Sequence, residues 1–156
     1  MTFDTFIQLV TAFSGSVGFA VLFNVQAARL FWAGIGGMLG WAAYLALGTV
    51  CESDVIRFFF ASACFTLYSE PMARLKKTPS TVFLVPAAIP MVPGASLYRS
   101  MSSAVNGEWL AFSRQILYTL LLASAIAAGI VCAMTISHIV RRLAKACVQK
   151  AGKSGE

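Results

Sequence analysis

The stretch Val82-Phe-Leu-Val-Pro86-Ala-Ala-Ile-Pro90-Met-Val-Pro93-Gly94-Ala-Ser-Leu-Tyr98-Arg99 carries no charge before its last residue, yet packs three prolines and a glycine into nine residues. An uncharged run of this length suits a bilayer, where a helix needs about 20 residues to cross. Each internal proline removes an amide donor and crowds the preceding turn. A regular helix is therefore not expected here. At membrane depth, irregular backbone persists only where it is buried in protein or lines a watery cavity. The stretch reads as a broken membrane segment, and the fold class follows as all-α and polytopic.

Outward from it, further uncharged runs mark the other spans. Thr5 to Ala28 and Leu30 to Cys51 are uncharged, and Phe58 to Ser69 is a shorter run that must borrow from its flanks. Gln115 to Val140 is uncharged apart from His138. The expectation is five transmembrane segments at roughly 5–24, 30–50, 55–75, 80–98 and 115–140, the fourth broken by prolines, in a single membrane domain over 1–156 with a basic tail at 141–156. Asp4 stands where a removable leader would be basic, so the first span is expected to stay.

Composition agrees. Of 156 residues 58% are hydrophobic and 12% charged, with a mean hydropathy of +0.77. A soluble domain carries about 25% charged residues. That balance excludes a disordered chain, a nucleic-acid binder and almost any cytosolic enzyme. The net charge of +6 is read as orientation and contact with anionic lipid headgroups at the basic tail. With five spans, Arg29, Arg74, Lys76, Lys77, Arg141, Arg142, Lys145, Lys150 and Lys153 share one side, leaving only Arg57, Arg99 and Arg114 on the other. The cation-rich side is cytoplasmic, which puts the N-terminus out and the C-terminus in.

Small residues recur at helix-packing spacing: Gly36 and Gly40, Ala123 and Ala127, Ser124 and Ala128. Ordinary packing is the first explanation for them, a path between thin helices the second. Pro86, Pro90, Pro93 and Gly94 are the candidate substrate path, because a broken helix frees carbonyls and helix ends for a ligand. Tyr98 and Arg99 follow directly. Arg99 suits a carboxylate, or simply reaches for the interface. Glu70 is an ionisable group near a span end and a candidate for coupling; Arg74, Lys76 and Lys77 lie close enough for a plain ion pair. His138 stands alone beside Arg141 and Arg142 and reads as interfacial. Asn24 reads as a turn residue at the end of the first span. Cys51, Cys64, Cys132 and Cys147 form no metal-ligand pattern. No catalytic, metal or cofactor motif is present, so the chain is not expected to be an enzyme.

Three runs carry a resemblance: Gly18-Phe-Ala-Val-Leu-Phe-Asn24-Val-Gln-Ala-Ala-Arg29-Leu30, the glycine-rich run from Gly34 to Gly48, and Pro86 to Met101. In order and spacing they resemble the YjjB-like small membrane subunit of the threonine/serine exporter (ThrE) family, over roughly residues 14–140. The PxxxPxxPGxxxY pattern is the most specific part, and the matching positions are Asn24, Arg29, Pro86, Pro90, Pro93, Gly94 and Tyr98. Gln26-Ala27-Ala28 departs from the family, whose members often carry a proline and more basic residues there. The resemblance implies a bacterial inner-membrane subunit of a secondary exporter, driven by the proton-motive force. It also implies threonine, serine or a dicarboxylate such as succinate as substrate, and a larger YjjP-like membrane subunit as partner. Further oligomerisation is left open. The rival expectation is a membrane scaffold that assembles a partner and transports nothing.

Overall fold

The computed structural model describes the backbone of residues 3–153 and the side chains of residues 3–143. The side chains of Lys145, Lys150 and Lys153, on which the lipid-headgroup expectation for the tail largely rests, lie outside the described residues. Among the described residues the fold is all-helical. The helices are α1 (Phe3–Leu22), α2 (Ala27–Leu47), α3 (Asp54–Leu75), α4 (Thr81–Ala88), α5 (Gly94–Val105) and α6 (Trp109–Lys153), with one 3-10 turn at Ile89–Met91 between α4 and α5.

By length and composition α1, α2 and residues Trp109–Leu143 of α6 are able to cross a membrane, and the bent pair Thr81–Met91 and Gly94–Val105 makes a fourth crossing if it counts as one span. Helix α3 has 22 residues, about 33 Å of helix. It falls outside that group because Asp54, Arg57, Glu70 and Arg74 lie within it. The boundaries of the fourth and fifth segments differ from expectation. The helix after the break runs to Val105 rather than ending at Tyr98, with Ser96 and Ser100 buried along one face. The last helix starts at Trp109 and takes in Arg114, which is exposed.

Three of the helix ends share one stop. Asn24, Lys77 and Gly107 all take positive φ (55, 52 and 75°). After α1, Asn24 N–H donates to the Val21 carbonyl and Val25 N–H to the Ala20 carbonyl, each at 2.9 Å. The same pair of bonds recurs at Lys77 and Thr78, and at Gly107 and Glu108. This is the Schellman arrangement, which satisfies carbonyls left over at a helix end. It turns the chain within a few residues and makes successive long helices antiparallel. Thus Trp41 near the end of α2 donates to Gln8 near the start of α1 (3.2 Å).

Helix α3 is the centre of the bundle, packed on α2, α4 and α6, while α5 packs chiefly on α6. The glycines of α2 permit its close contacts: a Cβ on Gly36 would lie 3.1 Å from Ala87 of α4, and one on Gly40 would lie 3.0 Å from the Phe65 ring of α3. In α6 the packed stripe is Leu122, Ala125, Gly129 and Ala133, whereas Ala123, Ser124, Ala127 and Ala128 face outward. Gly129 lies directly against the Ser62 hydroxyl and the Phe59 carbonyl of α3. Phe58, Phe65, Met91 and Leu122 form one apolar cluster; Ala20, Ala33, Ala73 and Phe83 form a second.

Candidate functional site

The break in the fourth segment has a local cause. Pro90 brings no amide to the Pro86 carbonyl, and the Ile89 N–H takes that carbonyl instead, tightening α4 into the 3-10 turn. Val92 is then extended (φ −62°, ψ 124°). Helix α5 restarts at Gly94, bent 53° from what precedes it. Pro86 causes no break: it sits buried inside α4.

Two cavities flank this segment. One, of about 240 Å³, is lined by Gln8, Thr11, Ala12 and Gly15 of α1, Trp41 of α2, and Ile89 and Pro90. The other, of about 250 Å³, is lined by Phe23, Val25, Thr81, Val82, Val85 and Pro86. Pro90 therefore borders the cavity at the α1 N-terminal end and Pro86 the cavity at its C-terminal end. No charged side chain lines either one. Pro93 is half-buried at the bend; Gly94, Tyr98 and Arg99 are exposed and line neither cavity. A Cβ on Gly94 would meet nothing within 4 Å, so Gly94 makes no close approach to a neighbour. Asn24 is exposed in the α1–α2 turn, where its positive φ ends α1.

Glu70 lies elsewhere, near the end of α3. Its side chain is 8% exposed and pairs with two arginines: Arg141 of α6, 25% exposed, and Arg74 of its own helix, 48% exposed, at 3.5 Å. Arg141 also donates to the Ser137 hydroxyl (3.0 Å). His138 is exposed. At the opposite end of α3, Asp54 accepts from the Tyr118 hydroxyl (2.8 Å), the Tyr44 hydroxyl (3.3 Å) and Arg57 (3.3 Å). Both ends of α3 are thus tied to α6 through a carboxylate. Between them the exposed surface of α6 is mostly apolar, with Leu120, Leu121, Val131 and Ile136 outward.

Sequence reasoning passed over two polar features. Ser96 of α5 accepts from Gln115 Nε2 (2.8 Å) and has Thr119 Oγ1 at the same distance, joining α5 to α6. The signal was present as Ser96 and Ser100, one turn apart in an otherwise mixed stretch. Ser16 of α1 is completely buried, and its hydroxyl has no hydrogen-bond partner. Nothing in the sequence separates it from the many other serines.

Comparison with known proteins adds one positive result. The family model described as "Threonine/Serine exporter, ThrE" matches residues 8–136. No solved structure matches the chain.

Proposed function

The chain belongs to the threonine/serine exporter family, and from that premise we propose that it forms the solute path of a secondary exporter in the bacterial inner membrane. The solute is threonine, serine or a small dicarboxylate such as succinate, the drive is the proton-motive force, and a larger YjjP-like membrane subunit completes the transporter. In this reading α3 is a fifth span, its charges gathered in pairs near its two ends, with the N-terminus outside and the C-terminus in the cytoplasm. Pro86, Pro90, Pro93 and Gly94 form the moving part of the path, with Tyr98 and Arg99 on the helix beyond it. Glu70 belongs to the coupling machinery, and Asn24 holds the turn beside the second cavity.

The observation that carries the proposal is the bend. A single segment that is helical, then 3-10, then extended, borders a cavity on each side of its prolines. Discontinuous helices of this kind bind solutes near the midplane in many secondary transporters. The test is export of labelled threonine, serine and succinate from cells or proteoliposomes holding both subunits. The Pro90→Ala/Pro93→Ala variant restores helix-forming residues at the bend. It should assemble normally and lose export. Absence of export in every combination of subunits would favour the scaffold alternative.

A further inference from the structure

Serine and threonine hydroxyls in apolar helices ordinarily donate to a carbonyl three or four residues back. Here Thr11 and Ser14 of α1 do so, as do the buried Thr66 and Ser69 of α3, at 2.7–3.0 Å. Ser16 is the exception among the described buried side chains. It is wholly inaccessible and its Oγ has no partner. A buried hydroxyl without a partner has given up its water for nothing and destabilises the fold. The fold therefore gains nothing from this hydroxyl that alanine would not supply.

Its surroundings supply another reason for it. The Ser16 hydroxyl lies against Gly37 of α2, where a Cβ would overlap it; that same Cβ would stand 3.4 Å from Pro90 Cγ. Ser16, Gly37 and Pro90 thus bring α1, α2 and the 3-10 turn together at one point. Along α1 the first cavity takes Gln8 to Gly15 and the second begins at Phe23. Ser16 directly follows the last α1 residue of the first cavity, while about two turns of α1, holding the buried Ala20, separate it from the second. A small opening of α1 from the 3-10 turn would expose the Ser16 hydroxyl to the first cavity, which Pro90 borders.

We propose that Ser16 is a polar contact at the inner wall of the first cavity, and that its hydroxyl hydrogen-bonds a small, net-neutral hydroxy amino acid held there. The proposal rests on the exporter reading above and narrows its substrate class. A hydroxyl both donates to a carboxylate and accepts from an ammonium group, so one serine serves either end of a zwitterion. A dicarboxylate would enter with two negative charges and meet no cation in either cavity, and an unpaired buried charge is far more costly than a neutral polar group. Size points the same way. Each cavity is smaller than the roughly 300–1,000 Å³ of sites for drug-sized ligands, and the Ser16 hydroxyl is backed by a glycine, Gly37.

The test is a chain with its four native cysteines replaced and Ser16→Cys introduced, expressed with its companion subunit. Labelling of the introduced thiol in membranes with a small methanethiosulfonate reagent is followed with and without threonine, serine or succinate. Slow labelling is expected, reduced several-fold by threonine and serine and unaffected by succinate. An inert thiol, or labelling indifferent to threonine, overturns the proposal, as does protection by succinate alone. Ser16→Ala gives a second readout that does not depend on the cysteine background. Its thermal stability should equal or exceed that of the parent, while threonine export falls about tenfold or more, the size of losing a hydrogen bond to a charged group. Unchanged export by Ser16→Ala in a complex that exports threonine removes Ser16 from the path and leaves the exporter reading standing. If the parent complex exports nothing, the exporter reading fails, and protection of the Ser16→Cys thiol still decides whether the site exists.

Discussion

Glu70 is the place where removing single atoms should have the largest and most unequal effects. Its carboxylate is 8% exposed and shared by two arginines that differ in burial. Arg74 is 48% exposed, and pairs of that kind contribute about 0–1 kcal/mol after solvent screening. Arg141 is 25% exposed and reaches across from α6. Breaking a buried pair costs about 3–5 kcal/mol, because the remaining charge is stranded. Since a quarter of Arg141 still meets solvent, the low end applies. Arg141→Ala and Glu70→Ala should each lose about 3 kcal/mol, and Arg74→Ala under about 1 kcal/mol. The double variant Glu70→Ala/Arg141→Ala strands neither charge against the other and should cost little more than either single change. The coupling energy would then be about 2–3 kcal/mol, well above additivity error. Unfolding by sodium dodecyl sulfate in mixed micelles, followed by far-ultraviolet circular dichroism, measures all four variants against the parent. Equal losses for Arg74→Ala and Arg141→Ala, or single losses that simply add, would refute the claim that one cross-helix pair ties α3 to α6.

Gly129→Ala should destabilise by about 1–3 kcal/mol in the same assay, because its Cβ would meet the Phe59 backbone, which cannot step aside. Gly18→Ala is the control: nothing lies within 4 Å of its Cβ, so it should be neutral or gain up to about 1 kcal/mol from helix propensity. Lys77→Gly should raise stability by up to about 1 kcal/mol, since a lysine is held there at φ 52° in the left-handed region. A fluorescent reporter active only in the cytoplasm should light up after Glu156, and a periplasm-only reporter should be active at Glu108; the reverse would overturn the five-span orientation.

Much of this architecture is legible in the sequence as uncharged runs, because a bilayer-sized helix cannot hide a charge at its centre. The location of the break is legible only to within a few residues. Three prolines announce it, but which of them interrupts the helix depends on who takes the freed carbonyl. Around Pro86 the helix simply continues, while Pro90 hands the Pro86 carbonyl to Ile89 and starts the bend. The face of α6 is not legible, since small residues occur at every phase between Ala123 and Ala133, and only contact with α3 selects Gly129. Glu70 and the Pro86–Gly94 run stand out by residue type. Arg141 as the partner of Glu70, and Ser16 as an unpartnered hydroxyl, are facts of three-dimensional neighbourhood that no spacing rule reaches.

The tie between Glu70 and Arg141 also sets a timetable for assembly. Arg141 follows Glu70 by about 70 residues, and at about 5–20 residues per second a ribosome needs roughly 4–14 s to supply it. Through that interval α3 has only α2 and the arriving fourth segment to pack against, and its acidic end has only Arg74. On the five-span reading, α3 waits at the membrane, incompletely neutralised, until α6 enters beside it. Chains truncated before α6 should be prey to membrane proteases even though most of their apolar helices are complete. Helix α6, made after α3, is the one that holds it in place.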